Sequence, residues 1–200
     1  MQHIWTKIEE LRAQYELLEV TRTPIDVFTF FEVDLGLDPI PFDDFTAKYR
    51  VEAAITADFT GIYLDAEQYT LMEKGPEWKL NRLRFTIAHE LAHFFLHRGL
   101  LQAENFSSLP NFARWTANYG GSKYTAEQEA NEFAGRLLVP ESRLRSMFDE
   151  FAPQAEKLIP NFMQSGPLRD KFADMAAPKF GVNSQVIAVR LDRDDIWSAA

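Results

Sequence analysis

The chain has 200 residues, 46% hydrophobic and 14% aromatic, enough to bury one substantial core and in favour of a single domain over two. A net charge of −9 argues against sequence-independent binding to nucleic acid, which draws on Lys and Arg neutralising phosphates. With no cysteine, disulfides and thiolate metal sites are excluded, so any bound metal falls to His, Asp and Glu.

The opening residues, MQHIWTKIEELRAQ, lack the basic start and apolar stretch of a secretory signal, and no later run approaches the roughly 18 apolar residues of a membrane span. A cytoplasmic location away from membranes is therefore expected. Over residues 2–21, Ile4, Trp5, Ile8, Leu11, Tyr15 and Leu18 recur at steps of three or four, which predicts an amphipathic helix. A second helical stretch follows Pro24. VEAAIT and GIYLD are short, rich in β-branched and aromatic residues and separated by Asp58 and Gly61, the pattern of two strands in a small sheet. Between Pro76 and Gly99, Leu80, Leu83, Ile87, Leu91 and Phe94 form one helical stripe, with Gly99 as the stop. Residues 100–123 have no clear period and read as a long surface loop. A helix over 125–139 opens with Thr125 and Gln128 as a capping box and ends at Pro140. Helical fragments continue to the C-terminus, punctuated by Pro153, Pro160, Gly166, Pro167 and Pro178. The expected organisation is one domain over 1–200, with a catalytic core over 1–160 and a C-terminal helical segment over 161–200 packed on it.

His89-Glu90-Leu91-Ala92-His93 is an HExxH motif. On a helix, positions i and i+4 project from one face about a turn apart, so two imidazoles can bind one zinc ion. The residue after the first His lies beside the metal, where the Glu90 carboxylate can take a proton from water. Five matching positions arise by chance in roughly one chain in two hundred of this length. Context strengthens the motif here, since Phe85, Ala92 and Leu96 place the histidines on an apolar stripe, and buried imidazoles need partners.

A catalytic zinc needs a third protein ligand and an open position. His97 lies roughly 12 Å along the helix from His89, at 1.5 Å rise per residue, too far to share one ion; it reads as structural or substrate-facing. The remaining candidates are carboxylates on the 125–139 helix. Glu127 shares a stripe with Asn131, Ala134 and Leu138 and faces inward, whereas Glu129, Glu132 and Arg136 read as a solvated face with an ordinary ion pair. Glu127 is therefore the third candidate ligand. Asn131, one turn on, is placed to accept a hydrogen bond from the second ring nitrogen of a ligand histidine.

RFTIAHELAHFFLH, EQEANEFAGRLLVP and FGVNSQVIAVRL, in this order and rough spacing, resemble the ImmA/IrrE family of metallo-endopeptidases and cover about a fifth of the chain. The resemblance implies an α+β, mainly helical zincin-like fold with a small β-sheet and an HExxH active-site helix. It implies one zinc per chain at His89, His93 and the glutamate of E-x-x-A-N, here Glu127, with Glu90 catalytic. The implied substrate is a partner transcriptional repressor of the helix-turn-helix type, in mobile elements or stress-response systems. Pro178, ahead of Phe180-Gly181-Val182, interrupts a helix that usually runs unbroken in the family.

The expected chemistry is peptide-bond hydrolysis. Tyr119, Tyr124 and Arg114 are candidate oxyanion donors among which sequence does not choose, and an edge strand within 51–65 could align an extended substrate. The competing reading is a non-catalytic regulatory module that binds a repressor or DNA, supported by the helix-turn-helix look of FGVNSQVIAVRL. Between Leu168 and Asp195, however, Arg169, Lys171, Lys179, Arg190 and Arg193 are matched by Asp170, Asp174, Asp192, Asp194 and Asp195, which leaves no basic face.

Overall fold

The computed structural model describes residues 2–103 and 122–198. Helix α1 (Gln2–Gln14) buries Ile4, Ile8 and Leu11. It is shorter than its periodicity suggests, because the chain breaks after Gln14 into a 3-10 turn, Glu16–Leu18, that buries Leu18. Arg12 pins α1 in place: its guanidinium donates to the Leu18 carbonyl at 2.8 Å and to the Arg136 carbonyl at 2.8 Å. After Pro24, Asp26 caps a short helix, α2 (Val27–Thr29), by accepting from the Thr29 N–H. This helix runs on into a π-helical turn, Phe30–Asp34, that buries Phe30 and Phe31.

A three-stranded sheet follows, in the order β1-β3-β2. β2 (Ala53–Ile55) and β3 (Gly61–Asp65) pair antiparallel, as their composition suggests. β1 (Asp38–Phe42, DPIPF) has a sequence that argues against a strand, since its two prolines lack backbone donors. It survives because it lies at the sheet edge and pairs in parallel with β3 on one side only. The Asp38 N–H bonds the Thr60 carbonyl at 3.0 Å, and in a parallel ladder the alternate residues Pro39 and Pro41 turn their nitrogens outward, where no donor is needed. Gly61 permits this approach, since a Cβ there would stand 2.5 Å from the Asp38 carbonyl oxygen. A short helix, α3 (Phe45–Tyr49), joins β1 to β2 and buries Phe45.

Past α4 (Ala66–Lys74), the long helix α5 (Glu77–Leu96) buries Leu83, Ile87, Ala88, Leu91 and Ala92. It stops at His97, two residues before the glycine expected to end it, and a new helix, α6 (Arg98–Ala103), begins at once. Most of the segment expected as a loop, with Arg114 and Tyr119, lies outside the described residues, as does the Tyr124 side chain. α7 (Ser122–Leu138) starts before Thr125, so the Thr125/Gln128 pair does not open it. α5 and α7 pack against each other. Ala88 and Ala92 on one and Ala130 and Ala134 on the other are fully buried, small side chains that suit a close crossing, and Phe95 stacks on Phe133 at 6.0 Å.

The prolines expected to punctuate the C-terminal part do not all do so. α8 (Glu141–Leu158) runs through Pro153, and α9 (Gly166–Phe180) runs through Pro178 to a left-handed Gly181. An interior proline costs a helix roughly 3 kcal/mol. Burial offsets this: Phe148 and Phe151 of α8 and Phe172 of α9 cluster with Phe162 and Trp197, at centroid distances between 5.0 and 6.2 Å. Trp197 also donates its indole N–H to the Met163 carbonyl at 2.9 Å. α10 (Ser184–Arg193) closes the fold and buries Ile187, Arg190 and Leu191. The whole is a mainly helical α+β, zincin-like fold with a small sheet beside α5. No described helix is long and apolar enough to cross a membrane.

Candidate metal centre

α5 presents the HExxH residues as its periodicity requires. Leu83, Ile87 and Leu91 anchor one stripe in the core, and His89 and His93 project together from the neighbouring one with their Nε2 atoms 3.3 Å apart. α7 brings Glu127 to the same point, with its Oε2 3.1 Å from His89 Nε2 and its Oε1 3.7 Å from His93 Nε2. These are the only three residues among those described whose His, Asp or Glu ligand atoms gather in this way, all within 4.8 Å of one another. A tetrahedral ion with ligand bonds of about 2.0–2.2 Å has donor-to-donor edges of about 3.3–3.6 Å. The triangle of two imidazole nitrogens and a carboxylate therefore fits the base of such a site. The side chains of His89 and Glu127 are 17% and 18% exposed.

The outer hydrogen bonds suit metal binding too. Asn131, one turn after Glu127, has its Oδ1 3.1 Å from His89 Nδ1. An amide oxygen only accepts, so His89 Nδ1 carries the proton and Nε2 keeps its lone pair for an ion. Burial opposes a charge on His89, but the hydrogen bond to Glu127 and the charges of Glu90 and Glu127 outweigh it and hold its pKa above the ordinary value. That surplus of negative charge around the imidazoles is what a cation would neutralise.

Glu90 is buried at 8% exposure, and its Oε2 accepts the Ile55 N–H of β2 at 2.9 Å. Burial pushes its pKa up to about 7, against the pull of His89 and of the Ile55 hydrogen bond. The sheet thus meets α5 at the Glu90 carboxylate itself. Sequence gives no sign of this contact, since the donor is backbone.

His97 stands apart from the triangle, in keeping with its distance along the helix. It is buried, with Nδ1 3.0 Å from His93 Nδ1 and Nε2 3.0 Å from Glu129 Oε2. The expected solvated face of α7 is corrected here. Glu129 is half-buried against His97, while Glu132 and Arg136 are 5% and 8% exposed. Glu132 accepts from Arg136 Nε at 2.5 Å, from Arg190 at 2.9 Å and from Arg193 at 2.9 Å. Asp194 takes Arg136 at 2.9 Å and both Nε and a terminal nitrogen of Arg190. Glu and Arg at i,i+4 mark a solvated pair only when nothing else covers them; here α10 does.

Helix-borne histidines beside an inward carboxylate, on a small-sheet α+β frame, are the arrangement of metal-dependent HExxH peptidases. In agreement with that, the model of the IrrE N-terminal-like domain, Peptidase_M78, matches residues 77–192. The chain belongs to that family, and the match takes in α5, α7 and most of α10. Neither the curated proteins nor the solved structures contain a match to the chain.

Proposed function

We propose that the protein is a zinc-dependent endopeptidase in which His89, His93 and Glu127 hold the ion and Glu90 is the general base. The observation that carries this is the triangle of ligand atoms, whose 3.3 Å and 3.1 Å sides are close to tetrahedral edges. When bound, zinc polarises a scissile carbonyl and makes water acidic enough to lose a proton near neutral pH. Glu90, one residue beyond a ligand and fixed by the Ile55 N–H, receives that proton and passes it to the leaving amine. β2 lies at the sheet edge and its last residue, Ile55, meets Glu90, so an extended peptide added at that edge would lie near Glu90. Beside Asn131 opens a groove of about 520 Å³ lined in part by Phe85, Thr86, Val186 and Val189, with room for substrate side chains. Among the described residues no oxyanion donor is singled out.

The substrate we propose is a helix-turn-helix transcriptional repressor acting in the cytoplasm, on the strength of the family resemblance. The non-catalytic, DNA-binding alternative draws no support from the C-terminal helices. Arg190 is 1% exposed and spent on Glu132 and Asp194, Arg193 pairs with Glu132, and Arg169 pairs with Asp192. Incubating the zinc-loaded protein with candidate helix-turn-helix repressors from the same organism tests the substrate. Two discrete fragments, suppressed by a chelator and restored by zinc, are the expected result; an intact repressor under all conditions would remove it as the substrate.

A further inference from the structure

We infer that His97 and Glu129 form a positioning chain for the metal centre, fixing the tautomer and ring orientation of His93 from behind. This inference rests on the reading of His89, His93 and Glu127 as metal ligands. The directions of the two hydrogen bonds carry it. A carboxylate only accepts, so the 3.0 Å contact between Glu129 Oε2 and His97 Nε2 places a proton on His97 Nε2. In the tautomer with its proton on Nε2, His97 presents a lone pair on Nδ1, which lies 3.0 Å from His93 Nδ1. Of two facing ring nitrogens one must donate, so His93 Nδ1 carries its proton and His93 Nε2 keeps the lone pair that points at Glu127 and His89.

Both imidazoles of the HExxH motif are thus set by an acceptor oxygen from α7: Asn131 Oδ1 acts on His89 directly, and a carboxylate oxygen of Glu129 acts on His93 through His97. His97 can do this because α5 ends on it. As the C-cap residue, with φ −117° and ψ 12°, it leaves the helical path while its backbone N–H still bonds the His93 carbonyl at 3.1 Å. The ring lies one turn below His93, with centroids 5.0 Å apart, and is buried at 6% exposure, so water does not compete for either nitrogen. The other oxygen of Glu129 meets His3 of α1 at 3.2 Å, on a side chain 54% exposed. That outer contact steadies Glu129 without deciding any proton position in the chain.

Partners of this kind, when removed, cost roughly 10–100-fold in metal affinity. The test is zinc affinity by competition with a chromophoric chelator, together with the visible absorption of the cobalt-substituted protein. The proteins compared are wild type, His97→Ala, Glu129→Leu, the double variant and His3→Ala, with apo-protein melting curves to follow folding. We expect His97→Ala and Glu129→Leu each to bind zinc about 10–100-fold more weakly with altered cobalt bands. The double variant should be no weaker than His97→Ala, because Glu129 acts only through His97, and His3→Ala should bind as wild type. Should His97→Ala fail to fold, Glu129→Leu at its half-exposed site still decides: unchanged affinity there overturns the inference. So does a folded His97→Ala with wild-type affinity and bands, or a double variant in which the two losses multiply. A wild type that takes up no metal overturns the reading of the site itself, and this inference with it.

Discussion

Glu90→Gln will retain the metal and lose the chemistry. The amide is nearly isosteric and can still accept the Ile55 N–H, so the contact between sheet and helix stays in place. What it cannot do is take a proton from water. General-base catalysis contributes about 10²–10⁴-fold, and cleavage of an internally quenched peptide library or of the repressor should fall by about that factor. His93→Ala, in contrast, should lose metal and cleavage together, since it removes one corner of the triangle. Measuring turnover and bound zinc on the same two preparations separates the roles. A Glu90→Gln protein that cleaves at the wild-type rate would remove Glu90 as the base.

The second large effect falls on stability. Arg190 is a fully buried cation held by Glu132 and Asp194, with side-chain exposures of 1%, 3% and 0%. Arg190→Met keeps much of the volume and deletes the charge, leaving two buried carboxylates to share Arg136 and the more exposed Arg193. Breaking a buried pair from one side costs about 3–5 kcal/mol, read as a shift in the urea-unfolding midpoint. A loss under about 1 kcal/mol would instead describe an exposed pair. The network also sets an acid limit. Burial opposes ionisation of Glu132, but Arg190 and Arg136 overcome it and hold its pKa below the ordinary 4.5. A depressed carboxylate contributes stability that is complete above its unfolded pKa and is lost as pH falls through the folded one. Wild type should therefore weaken progressively below about pH 4.5, and Arg190→Met should lose most of that dependence on Glu132.

Much of the centre could be read from spacing. HExxH on an apolar stripe puts two imidazoles on one face of α5, and the step from Glu127 to Asn131 puts a carboxylate and an amide on one face of α7. Both follow from 3.6 residues per turn. The paired strands β2 and β3 are likewise legible, lying in VEAAIT and GIYLD, short segments with β-branched and aromatic residues separated by turn residues. What escaped depends on partners far away in sequence. Pro39 and Pro41 argue against a strand until β1 is known to lie at an edge. Glu132 and Arg136 look solvated until Arg190, 58 residues after Glu132, covers them. With Glu129 assigned to that same solvated face, His97 had no visible partner, and its place behind His93 could not be seen. Pro153 and Pro178 mark breaks on local grounds, whereas the Phe148, Phe151, Phe172 and Trp197 cluster holds those helices through them.

The most direct test of the central claim is metal content by elemental analysis of the purified, zinc-supplied protein beside Glu90→Gln, His93→Ala and Glu127→Ala. A site built from two imidazoles and one carboxylate predicts about one zinc per chain in the wild type and in Glu90→Gln, and essentially none in the other two. Full occupancy in Glu127→Ala, or a wild type that holds no metal after zinc is supplied, would contradict it.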